Sequence, residues 1–324
     1  MNITFLGTGA GKPSLQRNVT SNVLDLTKER QEMWLFDCGE ATSHQIQRLQ
    51  RKESKEQCEL PNITLQKISK IFITHLHGDH IFGLFGLLTS RSMSGCKKPL
   101  TLYGPKGIEK ILTTVIEITE SFMMFPLEII ELEANSDPSI PFLVFEDETF
   151  KVTAIELQHR VQSFAYRIEE KESIGKLDVQ ALLQIGVQDH TIYQQLKDQQ
   201  TVTLENGQIL KPQDYLKAPQ KGKTVVIFGD TYPCTNAVTI AQNADFILHE
   251  ATYSQEFEVL PLERAHSTTA QTATTAKNAN AKKLYFTHIS ARYHHPEDQK
   301  QLVNECRAIF PESYITQDLL RIEI

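Results

Sequence analysis

Short runs of apolar residues mark the predicted strands of this chain, and most of these runs stop at a polar or charged residue. Runs of about four to eight β-branched and aromatic residues are typical of strands. Strands are predicted at residues 3–6, 23–26, 33–36, 70–74, 100–103, 127–132, 141–145, 150–157, 164–169, 224–228, 246–248 and 284–286, before a final strand pair. Helices are predicted up to Arg48, over 80–90, from Pro105 to 119, from a cap at 266–268 to 279, and over 296–309. Residues 49–62 are expected to form a polar loop.

A polar segment interrupts the pattern between Glu170 and Lys223, where the apolar spacing becomes irregular. Counted from Glu170, the segment contains seven acidic residues and seven lysines, so its charge is mixed rather than basic. We therefore predict an inserted arm at 170–223. A solvated surface insertion remains an alternative to a binding role.

The run Ile71-Phe72-Ile73 leads into Thr74-His75-Leu76-His77-Gly78-Asp79-His80, which places four potential metal ligands within six positions. His75 and His77 are two apart at the end of an extended segment, so they point to the same side. Gly78 allows a sharp turn that directs Asp79 and His80 back toward that space. Imidazole and carboxylate ligands suit zinc, and one such loop can serve two adjacent ions. A polar turn with internally satisfied histidines is the weaker interpretation.

Three further potential ligands, His159, Asp230 and His288, each lie where an apolar strand stops. One histidine at a strand end is more often structural, but three in equivalent places form a pattern. With the first loop they make seven ligands, which is sufficient for two zinc ions that share one carboxylate.

Two other strand ends can support this site. Asp37 follows the strand at 33–36, and it is either a cap or turn residue or a carboxylate that orients a metal-bound histidine. The cluster Gly7-Thr8-Gly9-Ala10-Gly11 lacks the spacing of a nucleotide-binding loop. We expect it to form a tight turn that brings backbone close to the metal loop.

The overall composition restricts the function classes. The net charge of -7 argues against a general affinity for nucleic acid, which depends on cations that neutralise phosphates, so any contact must use a local patch. No apolar run approaches the roughly 18 residues that span a bilayer. The N-terminal segment lacks a basic n-region, and the five cysteines contain no Cys-x-x-Cys pair. Reduced thiols and a cytoplasmic location are expected, without a signal peptide or membrane partner.

The His-x-His-x-Asp-His motif at 75–80 resembles the signature of the metallo-β-lactamase superfamily. This resemblance implies a four-layered αββα sandwich, and at this length we expect a single domain over 1–324 that contains the arm. Further segments resemble the short form of the ribonuclease Z family, which are tRNA 3′-processing endoribonucleases. They are residues 5–9, 35–40, 103–105, 229–230, 249–252, 266–268 and 287–293.

The family resemblance implies a role for each site residue. One zinc ion would be held by His75, His77, His159 and Asp230, and the other by Asp79, His80, Asp230 and His288. Asp79 would act as general base, and His266, oriented by Glu250, would donate a proton to the leaving oxygen. The products would be a tRNA with a 3′-hydroxyl and a trailer with a 5′-phosphate. His266 and Glu250 have an alternative as a loop histidine and a buried carboxylate that tie strands together.

The same resemblance implies that the arm is an exosite for pre-tRNA and that the enzyme is a homodimer. The chain departs from the family at Leu15, where a lysine is typical, and in the arm at 185–190, where the family often has a Gly- and Pro-rich stretch. Arg17, Arg91 and Arg292 are candidates for phosphate contacts.

Two other functions remain possible from the sequence. One is a general phosphodiesterase or lactonase, which would act on small esters without dependence on the arm. The other is a non-catalytic RNA-binding protein with structural metals, which retention of all seven ligands and of Asp79 disfavours, because a structural zinc needs no open position.

Overall fold

The computed structural model describes residues 1–56, 63–172, 175, 177–219, 221–257 and 265–324, with the backbone alone for 50–56. Its strands are Asn2–Gly7 (β1), Ser21–Leu26 (β2), Glu32–Phe36 (β3), Ile68–Phe72 (β4), Leu100–Pro105 (β5), Leu127–Leu132 (β6), Phe142–Glu146 (β7), Phe150–Glu156 (β8), Phe164–Glu170 (β9), Val202–Thr203 (β10), Ile209–Leu210 (β11), Thr224–Phe228 (β12), Phe246–Glu250 (β13), Leu284–Thr287 (β14), Ser313–Ile315 (β15) and Arg321–Glu323 (β16).

The helices lie between these strands. They are Thr27–Arg30 (α1), Thr42–Glu56 (α2), Gly78–Ile81 (α3), Leu84–Met93 (α4), Ile108–Ile118 (α5), Val179–Gln184 (α6), His190–Lys197 (α7), Pro212–Tyr215 (α8), Thr235–Ala241 (α9), Thr269–Asn278 (α10) and Pro296–Ile309 (α11), with a 3₁₀ turn at Gln255–Phe257. Thr268 begins α10 in a capping box with Gln271, which satisfies amides that a helix start leaves free.

The described residues form two compact units. The core unit comprises 1–145, 152–168 and 224–324, and the arm unit comprises 146–151 and 169–223. The arm unit has a small core of its own around Leu182, Tyr193 and Leu196. Within it, the backbone N–H of Glu170 donates to the carbonyl of Lys223, so the two ends of the inserted segment are held together.

Among the described residues, the large sheets have seven strands each, in the orders β16-β1-β2-β3-β4-β5-β6 and β15-β14-β13-β12-β9-β8-β7. Strands β3 to β6 run parallel in the first sheet, and β12 to β15 run parallel in the second. The carboxyl ends of parallel strands meet at one edge of a sheet, where the following loops can share a site. Each sheet therefore has an edge at which side chains from distant parts of the sequence meet.

Aromatic side chains fill the space between the two sheets in the core unit. Tyr166 of the second sheet contacts Phe72 of the first at 5.3 Å between ring centroids, and its hydroxyl donates to the carbonyl of Ile73 at 2.6 Å. Helices α2, α4 and α5 pack on the outer face of the first sheet, and α9, α10 and α11 on that of the second. The predicted four-layered αββα sandwich is confirmed.

Two predicted helices differ from the structure. Pro105 is the last residue of β5, where it pairs with Leu132, and α5 begins only after Gly107, whose φ of 103° favours glycine. The placement of Pro105 in the first helical turn was wrong, because pairing with β6 extends the strand. The predicted helix at 80–90 is two helices, α3 and α4, because the backbone N–H of Gly83 donates to the carbonyl of Cys38 between them.

Other boundaries moved less. Strand β4 ends at Phe72, so the metal loop begins earlier than the predicted strand 70–74 allows. Helix α2 continues to Glu56, past the predicted end at Arg48, and the rest of the predicted loop, 57–62, lies outside the described residues. No helix in the described part of the chain is both long and apolar enough to cross a membrane.

Candidate metal centre

The loop after β4 presents four ligand side chains in two directions. His77 has extended backbone angles, φ -68° and ψ 148°, and its Nδ1 lies 3.1 Å from Nε2 of His75. The single turn of α3 then begins at Gly78 and turns Asp79 and His80 back toward the same space. The local sequence therefore produces the arrangement expected from an alternating segment followed by a tight turn.

The second sheet supplies the remaining side chains from the ends of three strands. His159 follows β8, Asp230 follows β12 and His288 follows β14. Together with the loop they form two groups of four whose ligand atoms lie within 4.8 Å of one another: His75, His77, His159 and Asp230, and Asp79, His80, Asp230 and His288. The structure thus brings together all seven of the residues that the sequence singled out.

Asp230 belongs to both groups. Its Oδ2 lies 3.5 Å from Nε2 of His75, 3.5 Å from Nε2 of His80 and 3.3 Å from Nε2 of His288. Asp79 lies on one side only, with Oδ2 3.2 Å from Nε2 of His288. The position of Asp230 is the one expected of a carboxylate shared between two ions.

Four of the five histidines in these groups have the other ring nitrogen fixed by a neighbour, which leaves Nε2 to face the cluster. The contacts are His75 Nδ1 to Thr74 Oγ1 at 3.0 Å, His80 Nδ1 to Asp37 Oδ2 at 2.8 Å, His159 Nδ1 to the carbonyl of Ala265 at 2.7 Å, and His288 Nδ1 to Thr252 Oγ1 at 2.8 Å. Such contacts fix ring orientation and are typical of metal-binding histidines.

Asp37 has one of the two roles that the sequence left open. Its carboxylate accepts from the backbone N–H of Thr74 at 2.7 Å, from Thr74 Oγ1 at 2.9 Å and from His80 Nδ1. Helix α2 begins only at Thr42, so Asp37 does not cap it. Its φ of 55° is unusual for a residue with a side chain. Asp37 therefore connects the metal loop to β3 and orients His80.

The glycine cluster forms the predicted turn. Gly9 bridges both Val19 and Ile289, and the backbone N–H of Gly11 donates to Asp79 Oδ2 at 2.8 Å. The expectation that this turn brings backbone close to the metal loop is confirmed, and the turn itself holds the Asp79 carboxylate in place.

Electrostatics favour metal binding over an empty cluster. Burial lowers the pKa of His75, His77 and His159, so these rings are neutral and have a lone pair available. Burial also opposes the charging of His80, but the carboxylates of Asp230, Asp37 and Asp79 raise its pKa well above the usual range. His80 Nε2 is buried and has no hydrogen-bond partner. A cation at that atom would satisfy it and release its proton, so the donor set fits a metal ion.

His266 and Glu250 are in contact, although spacing alone could not place them together. His266 Nδ1 lies 2.9 Å from Oε1 of Glu250, which also accepts from the backbone N–H of Thr231 at 2.9 Å. The other oxygen of Glu250 accepts from Thr252 Oγ1 at 2.7 Å. Glu250, His266 and His288 also form a third group with metal-binding spacing. The hydrogen bonds already occupy both oxygens of Glu250, so an ion pair explains this group better.

Burial opposes protonation of His266, but the charge of Glu250 and its hydrogen bond raise the pKa of the imidazole to about 9. The side chain is partly exposed and lines a cleft of about 600 Å³ above the cluster. The cleft is also lined by Lys12, and by Phe82, Arg160 and Tyr253, which the sequence interpretation did not assign to the site. No motif in the sequence marks these residues, and only their position at the cleft identifies them.

The three arginines proposed as phosphate contacts have different surroundings. Arg91 is buried and donates to the carbonyls of Leu65, Ile68 and Lys98, so its assignment to phosphate binding was wrong. Arg17 is also buried, and it donates to Thr8 Oγ1 and to the carbonyl of Thr316, which excludes a free phosphate contact.

Arg292 is exposed, and its guanidinium carbon lies 5.2 Å from the ring centroid of Tyr253 and 4.8 Å from that of Phe257. Tyr253 lines the cleft. Arg292 therefore remains available to a ligand at the cleft.

The chain is similar over its full length to known ribonucleases. It is 46% identical over 318 residues to ribonuclease BN of Proteus mirabilis, covering 98% of this chain and 98% of that protein. It is 45% identical over 324 residues to ribonuclease Z of Bacillus licheniformis, covering 100% and 99%. The solved structure of human tRNase Z, short form, has a TM-score of 0.69 at 28% identity, with 100% and 99% coverage.

A family model described as Anti-Pycsar protein Apyc1 matches residues 1–119, which contain the metal loop but not the strand-end ligands of the second sheet. The full-length matches extend over both sheets and the arm unit. With this identity over the entire length, the chain belongs to the ribonuclease Z and ribonuclease BN family of metallo-β-lactamase-fold enzymes.

Proposed function

We propose that this chain is a zinc-dependent endoribonuclease that removes the 3′ trailer from pre-tRNA by hydrolysing the phosphodiester after the discriminator base. The observation that carries the proposal is the pair of four-residue groups that share Asp230, in a chain with full-length similarity to ribonuclease Z. The products are a tRNA with a 3′-hydroxyl and a trailer with a 5′-phosphate.

Two zinc ions per subunit are proposed, one for each group of four. The first is held by His75, His77, His159 and Asp230, and the second by Asp79, His80, Asp230 and His288. When bound, such a pair supplies an activated water and neutralises charge that develops on the phosphoryl oxygens. The histidine and carboxylate ligands suit zinc.

Asp79 is proposed as the general base. Burial opposes its ionisation, but the neighbouring His80 and His288 hold its pKa well below the usual range, so it is a carboxylate at neutral pH. The N–H of Gly11 occupies one position on Oδ2, which fixes the orientation of the group in the cleft. An ionised, oriented carboxylate can accept a proton from the attacking water.

His266 is proposed as the proton donor to the leaving 3′-oxygen. With a pKa of about 9 it is protonated at neutral pH, and Glu250 holds Nδ1 so that Nε2 can face the substrate. Proton donation prevents a poor alkoxide leaving group from forming, which is worth about 10² to 10⁴ in rate. Glu250 acts through His266 and does not itself touch the substrate.

The domain organisation is proposed to be one metallo-β-lactamase domain over 1–324, with residues 170–223 as a flexible arm that binds the body of the tRNA. The arm unit exposes several apolar side chains, Val179, Leu183, Ile185 and Ile209, together with lysines. Its own small core supports an independently packed binding element. The balanced charge favours recognition of tRNA shape over a general attraction to phosphate.

A homodimer and a cytoplasmic location complete the proposal. The core unit exposes Met93, Ile118 and Phe122, where the hydroxyl of Ser92 donates to the carbonyl of Phe122 and joins α4 to the segment after α5. A second copy of the chain would cover this apolar surface. Substitution of Phe122 by Asp should then convert the dimer into a monomer in light scattering.

The first experiment is cleavage of a pre-tRNA with a 3′ trailer, with both product ends mapped, before and after chelation and return of zinc. A single cut after the discriminator, lost and regained with metal, is expected. Absence of this cut with a metal-loaded protein would contradict the proposal and favour hydrolysis of small phosphodiesters or lactones. Metal binding without hydrolysis of any substrate would favour the non-catalytic alternative.

The arm is tested by deleting 176–216 and joining Gly175 to Lys217. These positions are close, because a Cβ on Gly175 would overlap the carbonyl of Lys217. The deletion is expected to abolish pre-tRNA cleavage and to spare small phosphodiesters. Equal loss on both substrates, with a lower melting temperature, would show that the arm is needed for folding instead.

A further inference from the structure

Phe82 is an exposed aromatic ring in a polar cleft. Among the described residues that line the cleft, it is the only large apolar side chain that is exposed, with 65% of its surface accessible. The other large ring, Tyr253, is buried, and the remaining lining is dominated by charged and polar groups. An exposed phenyl ring gains free energy when a flat apolar face covers it.

The ring packs against the backbone of the metal loop. A Cβ on Gly78 would overlap the Phe82 ring, so the ring lies directly on the backbone of Gly78. The backbone N–H of Phe82 donates to the carbonyl of Gly78 at 2.9 Å. The neighbouring Gly83 is joined to Cys38, as described above, which fixes the end of the turn. A ring that already rests on this backbone loses less conformational entropy when a ligand stacks on it than an unsupported ring would.

Phe82 lies on the Asp79 side of the cluster. Residues 79 and 82 are three apart on a helical turn, so their Cβ atoms are about 5–6 Å apart. His266 and Asp79 each contact His288: His288 Nε2 is 3.2 Å from Asp79 Oδ2, and its ring centroid is 5.3 Å from that of His266. A ligand face stacked on Phe82 is therefore adjacent to Asp79.

We infer that Phe82 is the stacking platform for the base of the first trailer nucleotide. This is the nucleotide that keeps the scissile phosphate at its 5′ end after cleavage. This inference rests on the proposed function. In the proposed reaction the 3′-oxygen of the discriminator nucleotide leaves with a proton from His266, and the phosphate stays on the trailer. We therefore assign the base beside Asp79 and Phe82 to the trailer. Every nucleobase has a π-face, so the platform positions the trailer without reading its sequence.

The test compares Phe82→Ala with the wild type on two pre-tRNAs, one intact and one with an abasic first trailer nucleotide. On intact substrate kcat/KM should fall about 5- to 150-fold, which corresponds to ~1–3 kcal/mol per stacked base. On the abasic substrate, Phe82→Ala and the wild type should have the same kcat/KM. Phe82→Trp should retain activity, and Phe82→Leu should not. Leu143→Ala, an exposed apolar residue on β7, is the matched control and should leave cleavage unchanged.

A second measurement does not depend on cleavage. Pre-tRNA with 2-aminopurine as the first trailer base is mixed with protein in chelator, and stacking on Phe82 should change its fluorescence in the wild type but not in Phe82→Ala. If Phe82→Ala lowers kcat/KM equally on intact and abasic substrates, the inference is overturned. It is also overturned if the effect of Phe82→Ala disappears when the discriminator nucleotide, and not the first trailer nucleotide, is abasic. If the wild type fails to cut pre-tRNA, the proposed function fails, and the fluorescence still decides whether Phe82 stacks on RNA.

Discussion

Replacing Asp37 by Asn tests whether this carboxylate orients His80. Asparagine has nearly the same size and keeps one oxygen for the N–H of Thr74, but its NH₂ group replaces the oxygen that faces His80 Nδ1. A metal-binding His80 carries its proton on Nδ1, so two donors would face each other. His80 must then lose the hydrogen bond or move its proton to Nε2, the atom that faces the cluster.

The expected loss of zinc affinity is about 10- to 100-fold, the usual cost of removing such a partner, or ~1.4 to 2.8 kcal/mol. Stability should also fall by ~1.5–3 kcal/mol, because a charge-assisted hydrogen bond to a buried group is lost. Zinc affinity is measured by competition with a chromophoric chelator, and stability by thermal unfolding of the metal-free protein.

Asp25 provides a matched control. It is as buried as Asp37 and likewise accepts three hydrogen bonds, from the N–H and Oγ1 of Thr27 at 2.9 and 2.6 Å and from Arg321 at 2.6 Å. Asp25→Asn should destabilise the protein to a similar degree without a change in zinc affinity. Equal zinc affinities for the two variants would refute the reasoning about Asp37.

Three further predictions concern the proton donor, the metals and the glycines. His266→Ala should lower single-turnover cleavage about 10²- to 10⁴-fold with unchanged zinc content; unaltered cleavage would remove His266 from the mechanism. Chelation should abolish cleavage and lower the melting temperature, since a ligand at 100 times its Kd stabilises by about 2.7 kcal/mol; an unchanged melting temperature would show that the cluster binds no metal. Gly83→Ala should destabilise by several kcal/mol, roughly the cost of a severe core clash, because its Cβ would overlap the carbonyl of Gly39, whereas Gly86→Ala, with open space around it, should stabilise α4 by ~0.5–1 kcal/mol. Similar melting temperatures for the two glycine variants would contradict the packing argument.

The strands and the strand-end ligands could be predicted from sequence because each depends on a short local pattern. The apolar runs before His75 and Asp230 each end one residue short of the ligand, and both ends can be read from the sequence alone. Pro105 could not be placed correctly, because pairing with Leu132 across the sheet overrides its preference for a helix start. The contact between His266 and Glu250 likewise depends on how two loops pack.

The burial of Arg91 could have been predicted from the helical spacing of its neighbours. Leu84, Leu87 and Leu88 form the buried face of α4, and Arg91 continues the same helical spacing. A charged residue on that face is buried and needs backbone acceptors, which it has. Phe82 had no such signal, because an apolar residue beside a helical run gives no indication that it is exposed.

The two groups around Asp230 draw on both sheets, and this has a consequence for the order of events during folding. Asp79 and His288 are 209 positions apart in the chain. A chain that has formed only the first sheet has the loop histidines but lacks Asp230, the carboxylate common to both groups. Contacts of such long range form late, because chain entropy opposes them until other structure is in place. Under the proposed mechanism, hydrolytic activity requires that the two sheets have joined, so we expect nascent and partly folded copies of the enzyme to be unable to cut RNA.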